Sequence, residues 1–261
     1  MKKSVNLYFT KNVDTKLKLR TIKLIGYDEF FTGINCSNET LNLVEQVKYA
    51  KTLGLNCTMI HCEYDESILH NFWLDNEIGE TIFNDYLNQL KNCKNLTKNF
   101  VVHLNNSKDC PITKIGLIRI NKLLIECKKI DVNLCIENLY SNKEIPYIFK
   151  NIKHEKLKIC FDSGHRNFLT PNFDVLKEYG QYVSCLHLHD NDGIKDLHNY
   201  CLSGTINWNN FAKEMTNHKD LVLSSEIKYN ENNYEKTLKM SYDALKIIDN
   251  KIEEFSKDFI E

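Results

Sequence analysis

The chain has 261 residues, 42% hydrophobic and 26% charged, with a net charge of −1. That is the composition of an ordinary globular protein with a sizeable core, and it excludes a disordered or collagen-like chain. No run approaches the roughly 18 apolar residues of a membrane span, and Met1-Lys2-Lys3 leads into a strand-like alternation with no apolar leader, so a cytoplasmic protein is expected.

The first strand-like run is Val5–Phe9, followed by a helical stretch through Leu17, Leu19, Ile22 and Leu24 that ends on Gly26. Tyr27–Ile34 reads as the second strand, with a helix from about Leu41 to Leu53 closed by Gly54. Asn56–His61 is the third strand with Glu80–Leu96 as its helix, and Phe100–Leu104 the fourth with Ile112–Ile130. Val132–Glu137 is the fifth, with a shorter helix after Ser141. Lys158–Asp162, Val183–His187 and Leu221–Glu226 are strands six to eight, and a helix from Tyr234 to about Phe255 closes the chain. Strands alternating with helices imply parallel pairing and right-handed crossovers. Eight units in about 250 residues favour one (β/α)₈ TIM barrel domain over residues 1–261, with an open doubly wound sheet as the alternative. The usual nucleotide loops, G-x-G-x-x-G after strand one or G-x-x-x-x-G-K, are missing.

Ten cysteines raise the question of disulfides. Cys57, Cys135, Cys160 and Cys185 lie inside apolar strand-like runs and no C-x-x-C pair occurs, so free thiols in a reduced core are expected. The basic residues are nearly all lysine, with Arg20, Arg119 and Arg166 the only arginines. Nucleic acid is therefore not the expected partner, because a dedicated DNA binder usually shows a basic, often arginine-bearing surface. A homo-oligomer is compatible with the sequence.

The polar residues that end the strands carry most of the chemistry. His61 ends strand three, His103 strand four, Glu137 strand five and Asp162 strand six, with His165 following. His187 ends strand seven and Glu226 strand eight. In a barrel these ends converge on the mouth where active sites are built. Carboxylates gathered there would raise one another's pKa or take up protons unless a cation neutralised them. Mixed nitrogen and oxygen ligands suit zinc, manganese or iron better than calcium; cobalt and magnesium are further candidates.

The chain resembles the xylose-isomerase-like barrel superfamily, which holds sugar and sugar-phosphate isomerases and epimerases alongside the apurinic endonucleases (AP endonuclease family 2). The resemblance covers essentially the whole chain. Its most specific parts are Cys160-Phe161-Asp162-Ser163-Gly164-His165-Arg166-Asn167 and the block His187-Leu188-His189-Asp190, Asp196-Leu197-His198, Gly204-Thr205-Ile206-Asn207-Trp208. It implies a divalent metal held by Glu137, Asp162, His187 and Glu226, with Glu137 and Glu226 as the acid/base pair. It also implies a substrate contact from His165; His61 and His103 are further candidates for substrate binding, and Arg166, the only arginine near the site, is a candidate phosphate contact. The activity implied is isomerisation or epimerisation of a small sugar or sugar phosphate through an enediolate. The endonuclease branch implies a larger cluster that would add His61, His103, His165, Asp196 and His198 as ligands. Asp-Ser-Gly-His-Arg-Asn on strand six, the scarcity of arginine and the compact loop from His189 to Asp196 favour the sugar branch. Dehydration of a polyol-like acid is a further metal-dependent alternative.

Other residues read less sharply. His189 shares a face with His187, yet beyond the strand end an exposed position is as natural. Lys228 reads as an ordinary rim lysine ahead of a partner of Glu226 or an anion contact, and Glu63 and Asp65 as solvated loop residues ahead of pocket-shaping ones. Trp208 and Phe72-Trp73 read equally as pocket walls or core.

Overall fold

The apolar runs resolve into eight parallel strands with helices packed outside them, in a computed structural model that describes residues 1–34, 39–228 and 233–257. The strands are β1 (Lys3–Asn6), β2 (Glu29–Gly33), β3 (Asn56–His61), β4 (Asn99–Val102), β5 (Asn133–Glu137), β6 (Leu157–Asp162), β7 (Val183–His187) and β8 (Leu223–Ser225). The helices are α1 (Thr15–Ile25), α2 (Leu43–Thr52), α3 (Glu77–Asn92), α4 (Lys114–Ile130), α5 (Glu144–Asn151), α6 (Ser163–Phe168), α7 (Val175–Tyr179), α8 (Trp208–Glu214) and α9 (Tyr234–Lys257). Hydrogen bonding runs in the order β7-β6-β5-β4-β3-β2-β1-β8. A narrow seam completes the ring: Leu188 N donates to Ser224 O at 2.8 Å, and Glu226 N donates to Leu188 O at 2.9 Å. The sheet is thus a nearly closed (β/α)₈ barrel and not an open doubly wound sheet. Among the described residues no helix is long and apolar enough to cross a membrane.

Element ends follow local chemistry that apolar periodicity does not report. Asp14 caps α1 by accepting from Leu17 N, and Gly26 ends that helix at φ 116°, a left-handed conformation that costs glycine little. Asn42 and Glu45 form a reciprocal capping box, which starts α2 later than its hydrophobic pattern suggests. The first strand stops at Asn6, not Phe9, because the Asn6 amide bonds both N–H and C=O of Ile227. Leu7–Phe9 then form a 3-10 turn that carries Tyr8 over the mouth. A 3-10 helix over Glu66–Trp73, not anticipated from the sequence, bridges β3 and α3.

Period-two alternation divides the strand side chains between two cores. Phe30, Ile60, Phe100, Leu134, Ile159 and Leu186 join the large cluster packed beneath the helices. Phe31, Met59, Val101, Cys135, Cys160 and Cys185 form a separate plug. Two residues beyond the plug positions stand His61, His103, Glu137, Asp162 and His187, so the apolar plug is the floor beneath them. Phe72, Trp73 and Trp208 are core residues, with Trp73 Nε1 donating to Leu104 O at 2.6 Å. The described cysteines are free; Cys36 lies outside the described residues.

One buried carboxyl is unrelated to the mouth. Glu144, at the start of α5, is 2% exposed and its Oε1 has no hydrogen-bond partner. Burial pushes its carboxyl up to about 8 from an ordinary 4.5. The folded state therefore holds a proton that the unfolded chain gives up, and the stability linked to it is full below pH 4.5 and lost as pH rises through about 8. Glu144→Gln is expected to melt with the wild type at pH 4.5 but higher at pH 8, by on the order of 4 kcal/mol or about 10 °C. Parallel melting curves that keep the same separation at both pH values would contradict this.

Candidate metal centre

Strand ends and the loops after them bring ten titratable side chains to the mouth. Glu137 sits at the centre, 1% exposed. Its Oε2 lies 3.0 Å from His103 Nε2, 3.3 Å from His61 Nε2 and 3.3 Å from His187 Nδ1, and its Oε1 lies 3.1 Å from His165 Nδ1. His187 Nδ1 is also 3.4 Å from Glu226 Oε2 and 3.9 Å from Asp162 Oδ2. Its ring stacks on Phe31 of the plug at 5.2 Å. Asp162 Oδ1 accepts from His165 N at 2.7 Å, capping α6 and turning the His165 ring toward Glu137. Asp196 and His198, from the long β7–α8 connection, pair at 3.0 Å, and His198 Nδ1 comes within 3.7 Å of Glu226 Oε2.

Glu137, Glu226, His187 and His61 hold one another in charged forms, while His103 is pushed the other way. For Glu137, burial works to raise the carboxyl, but facing His187 and His103 outweighs it and holds it well below the usual carboxylate range. Glu226 is likewise lowered: burial opposes ionisation, and His187 and His198 reverse the balance. Burial alone would lower His187, yet Glu226 and Glu137 raise it to about 10. His61 also rises to about 10: burial opposes this, and its side-chain interactions with Cys62 and Glu137 drive it. His103 is lowered, because burial outweighs the pull of Glu137.

The arrangement suits a divalent cation. His187 is 0% exposed, yet neither ring nitrogen makes an aligned hydrogen bond, its Nδ1 facing carboxylate oxygens at 3.3 Å and beyond, and His198 Nδ1 likewise makes none. Bare buried ring nitrogens are costly unless a ligand meets them. The donors around His187 Nδ1 are 3.3 to 3.9 Å away, close to the spacing of roughly 3–3.5 Å that bonds of about 2.0–2.2 Å set between ligands of one ion. Two sets of potential ligands share this place: His61, Glu137 and His187, and Asp162, His187 and Glu226.

Two further sets, Asp162 with His165 and His189, and His189 with Asp196 and His198, extend the cluster sideways. His189 is thus not the exposed residue that its position past the strand suggests. It is fully buried, with Nε2 3.1 Å from Asp162 Oδ1 and 3.7 Å from Asp196 Oδ1, and its ring stacks on His198 at 4.1 Å. Gly164 leaves room for it, since a Cβ there would stand 1.9 Å from His189 Cε1. Gly164→Ala is accordingly expected to destabilise the protein by at least about 1–3 kcal/mol, the usual cost of overpacking. An unchanged melting temperature would show that the ring has somewhere else to go.

Several positioning side chains escaped the sequence reading. Tyr8 Oη donates to Glu226 Oε1 at 2.8 Å. Asn138 pairs with the Asp162 main chain through both amide atoms, at 2.7 and 2.9 Å. Asp190 accepts from Trp208 Nε1 at 2.7 Å and from Ile206 N at 3.2 Å, which accounts for the Gly204–Trp208 block packing beneath the His187–Asp190 turn. Asn and Asp directly after strand-end ligands were the available signals for two of these; nothing pointed to Tyr8.

Arg166 does not join the others. Its Nη1 lies 2.7 Å from Glu214 and 3.7 Å from Asp174, its guanidinium covers Phe161, and it lines a different depression. A step of about 100° along α6 separates it from inward-facing His165. The central cavity, about 290 Å³, is lined by His61, His103, Glu137, His165, Asp196, His198 and Glu226 together with Tyr8, Tyr64, Glu63 and Lys228.

Residues 19–245 match the family model described as xylose isomerase-like TIM barrel. A solved D-tagatose 3-epimerase-like protein is 16% identical with a TM-score of 0.76, covering 97% of this chain and 100% of that one. L-ribulose 3-epimerase is 11% identical with a TM-score of 0.77, covering 99% and 97%. The IolI protein, solved with a bound zinc atom, is 16% identical with a TM-score of 0.74, covering 98% and 99%. The chain spans about a third of the length of the curated relatives it matches.

Proposed function

The chain belongs to the xylose isomerase-like TIM barrel family, and on that premise we propose that it is a divalent-metal-dependent isomerase or epimerase of a small sugar or sugar phosphate. The observation that carries this is the placement of Glu137 and Glu226, from different strand ends, at 3.3 and 3.4 Å from one nitrogen of His187 and on the wall of one cavity. In this reading Glu137, Asp162, His187 and Glu226 hold manganese or zinc; the zinc in IolI supports the choice of ion class. When bound, the cation would polarise the carbonyl and hydroxyl oxygens of the substrate and make the adjacent C–H more acidic. One glutamate takes that proton, and the other, protonated from solvent beforehand, delivers its own to the opposite face or to the neighbouring atom. Tyr8 orients Glu226 through its hydrogen bond to Oε1, and leaves Oε2 toward His187. His61, His103 and His165 face Glu137, and in this reading they contact substrate oxygens. The sugar epimerases among the structural neighbours support a carbohydrate substrate.

The test is incubation of manganese- or zinc-loaded protein in D₂O with a panel of ketoses, aldoses and their phosphates. The expected result is a new epimer or isomer carrying deuterium at the inverted carbon. Folded, metal-loaded protein that exchanges no carbon-bound hydrogen across the panel would defeat the proposal.

A second reading, metal-dependent hydrolysis of abasic DNA, draws on the additional ligand sets around His189, Asp196 and His198. Metal counting separates the two. One ion per chain, unaffected by His198→Ala, is expected for the sugar reaction, whereas the hydrolase requires about three ions and loses some in that variant. Incision of an abasic duplex would favour the hydrolase.

A further inference from the structure

We infer that Lys228 binds an anionic group on the substrate, a phosphate ester or a carboxylate, so that this site takes a charged sugar in preference to a neutral one. The inference rests on the sugar reading above and extends it to substrate class.

Lys228 follows Glu226 by two residues, and its main-chain N–H donates to His198 O at 3.2 Å, tying it to the loop that carries Asp196 and His198. It lines the same cavity as Glu137 and Glu226. Among the described residues lining that cavity it is the only lysine or arginine. Its ammonium has no hydrogen-bond or ion-pair partner among the described residues. Arg166, the arginine nearest the site in sequence, is instead held by Glu214 and Asp174 on another face.

The cavity therefore has two unlike ends. Carboxylates and imidazoles crowd its floor and suit a cation with hydroxyl and carbonyl oxygens, while exposed Lys228, sharing the outer wall with exposed Glu63, supplies its basic side chain. A lysine ammonium is a compact point charge that meets a phosphate or carboxylate from several directions, which fits the terminal group of a short sugar chain. Such a charge-assisted contact changes affinity by roughly ten- to a hundredfold.

Calorimetry on the metal-loaded protein tests this with three non-reacting probes: a pentitol 5-phosphate, the free pentitol and the matching pentonate. The wild type is expected to bind an anionic probe at least about tenfold more tightly than the neutral one. Lys228→Gln should remove that preference and leave pentitol binding unchanged, with Lys228→Arg restoring part of it. Loss confined to the phosphate ester identifies a sugar phosphate as the ligand; loss confined to the pentonate identifies a sugar acid. Equal binding of charged and neutral probes by the wild type, or anion binding undiminished in Lys228→Gln, overturns the inference. Lysine-dependent anion binding without turnover of any sugar would leave it standing and count against proton transfer instead.

Discussion

Glu137→Gln is expected to abolish epimerisation, with turnover falling by at least roughly 10³-fold, within the range a positioned proton-transfer group supplies. The substitution preserves the shape of a side chain with donors on several sides, but removes the charge that faces His61, His103, His165 and His187 at 3.0 to 3.3 Å. Metal content must be measured in the same preparation, because Glu137 is also assigned as a ligand. With metal retained, a two-carboxylate reaction predicts more than loss of rate. The variant should still exchange hydrogen from the sugar epimer that presents its proton to Glu226, while never delivering the inverted product. Glu226→Gln should show the complementary preference, and the double variant should be little worse than either alone, because the pair acts as a unit. Substantial epimerisation by metal-loaded Glu137→Gln would remove this residue from the chemistry.

How much of this was legible beforehand depends on which rule governs each side chain. His61, His103, Glu137, Asp162 and His187 each follow an apolar residue of the plug by two positions, so strand parity alone aims them inward. Their convergence could be read from the sequence; their chemical roles remain proposals. His189 obeys the same parity, but its burial depends on Gly164 sparing its ring and on the Asp190–Trp208 bond folding the following loop beneath the turn. Those are tertiary facts. Arg166 was misplaced for the opposite reason: α6 begins at Ser163, immediately after Asp162, so a period of 3.6 replaces a period of two just before the arginine. Tyr8 looked like one more strand residue until the Asn6–Ile227 bonds ended β1 early. Helix starts shifted wherever a cap decided them, as at Asn42 and Asn76, since capping residues are polar and invisible to an apolar pattern.

Removing divalent metal is expected to make stability strongly pH-dependent. In the metal-free mouth, His61 and His187 are raised to about 10, so each keeps a proton that neutralises the buried carboxylates beside it. An imidazole raised in the folded state contributes stability that is full below its unfolded value near 6.5 and disappears as pH climbs through about 10. Chelator-treated protein should therefore lose stability steadily from pH 7 to pH 10, at up to about 1.4 kcal/mol per pH unit for each such histidine. Metal-loaded protein should not show that loss, because the cation replaces the protons as the counter-charge. The same exchange fixes the direction of metal affinity: binding must expel protons, so affinity rises with pH and calorimetric heats depend on the ionisation enthalpy of the buffer. Comparing loaded with chelated protein at each pH cancels the separate contribution of Glu144, which is the same in both states. Metal affinity that stays flat from pH 6.5 to 9, with no proton release, would mean that the imidazoles at this mouth are not exchanging protons for a cation, and the ligand assignment would have to be withdrawn.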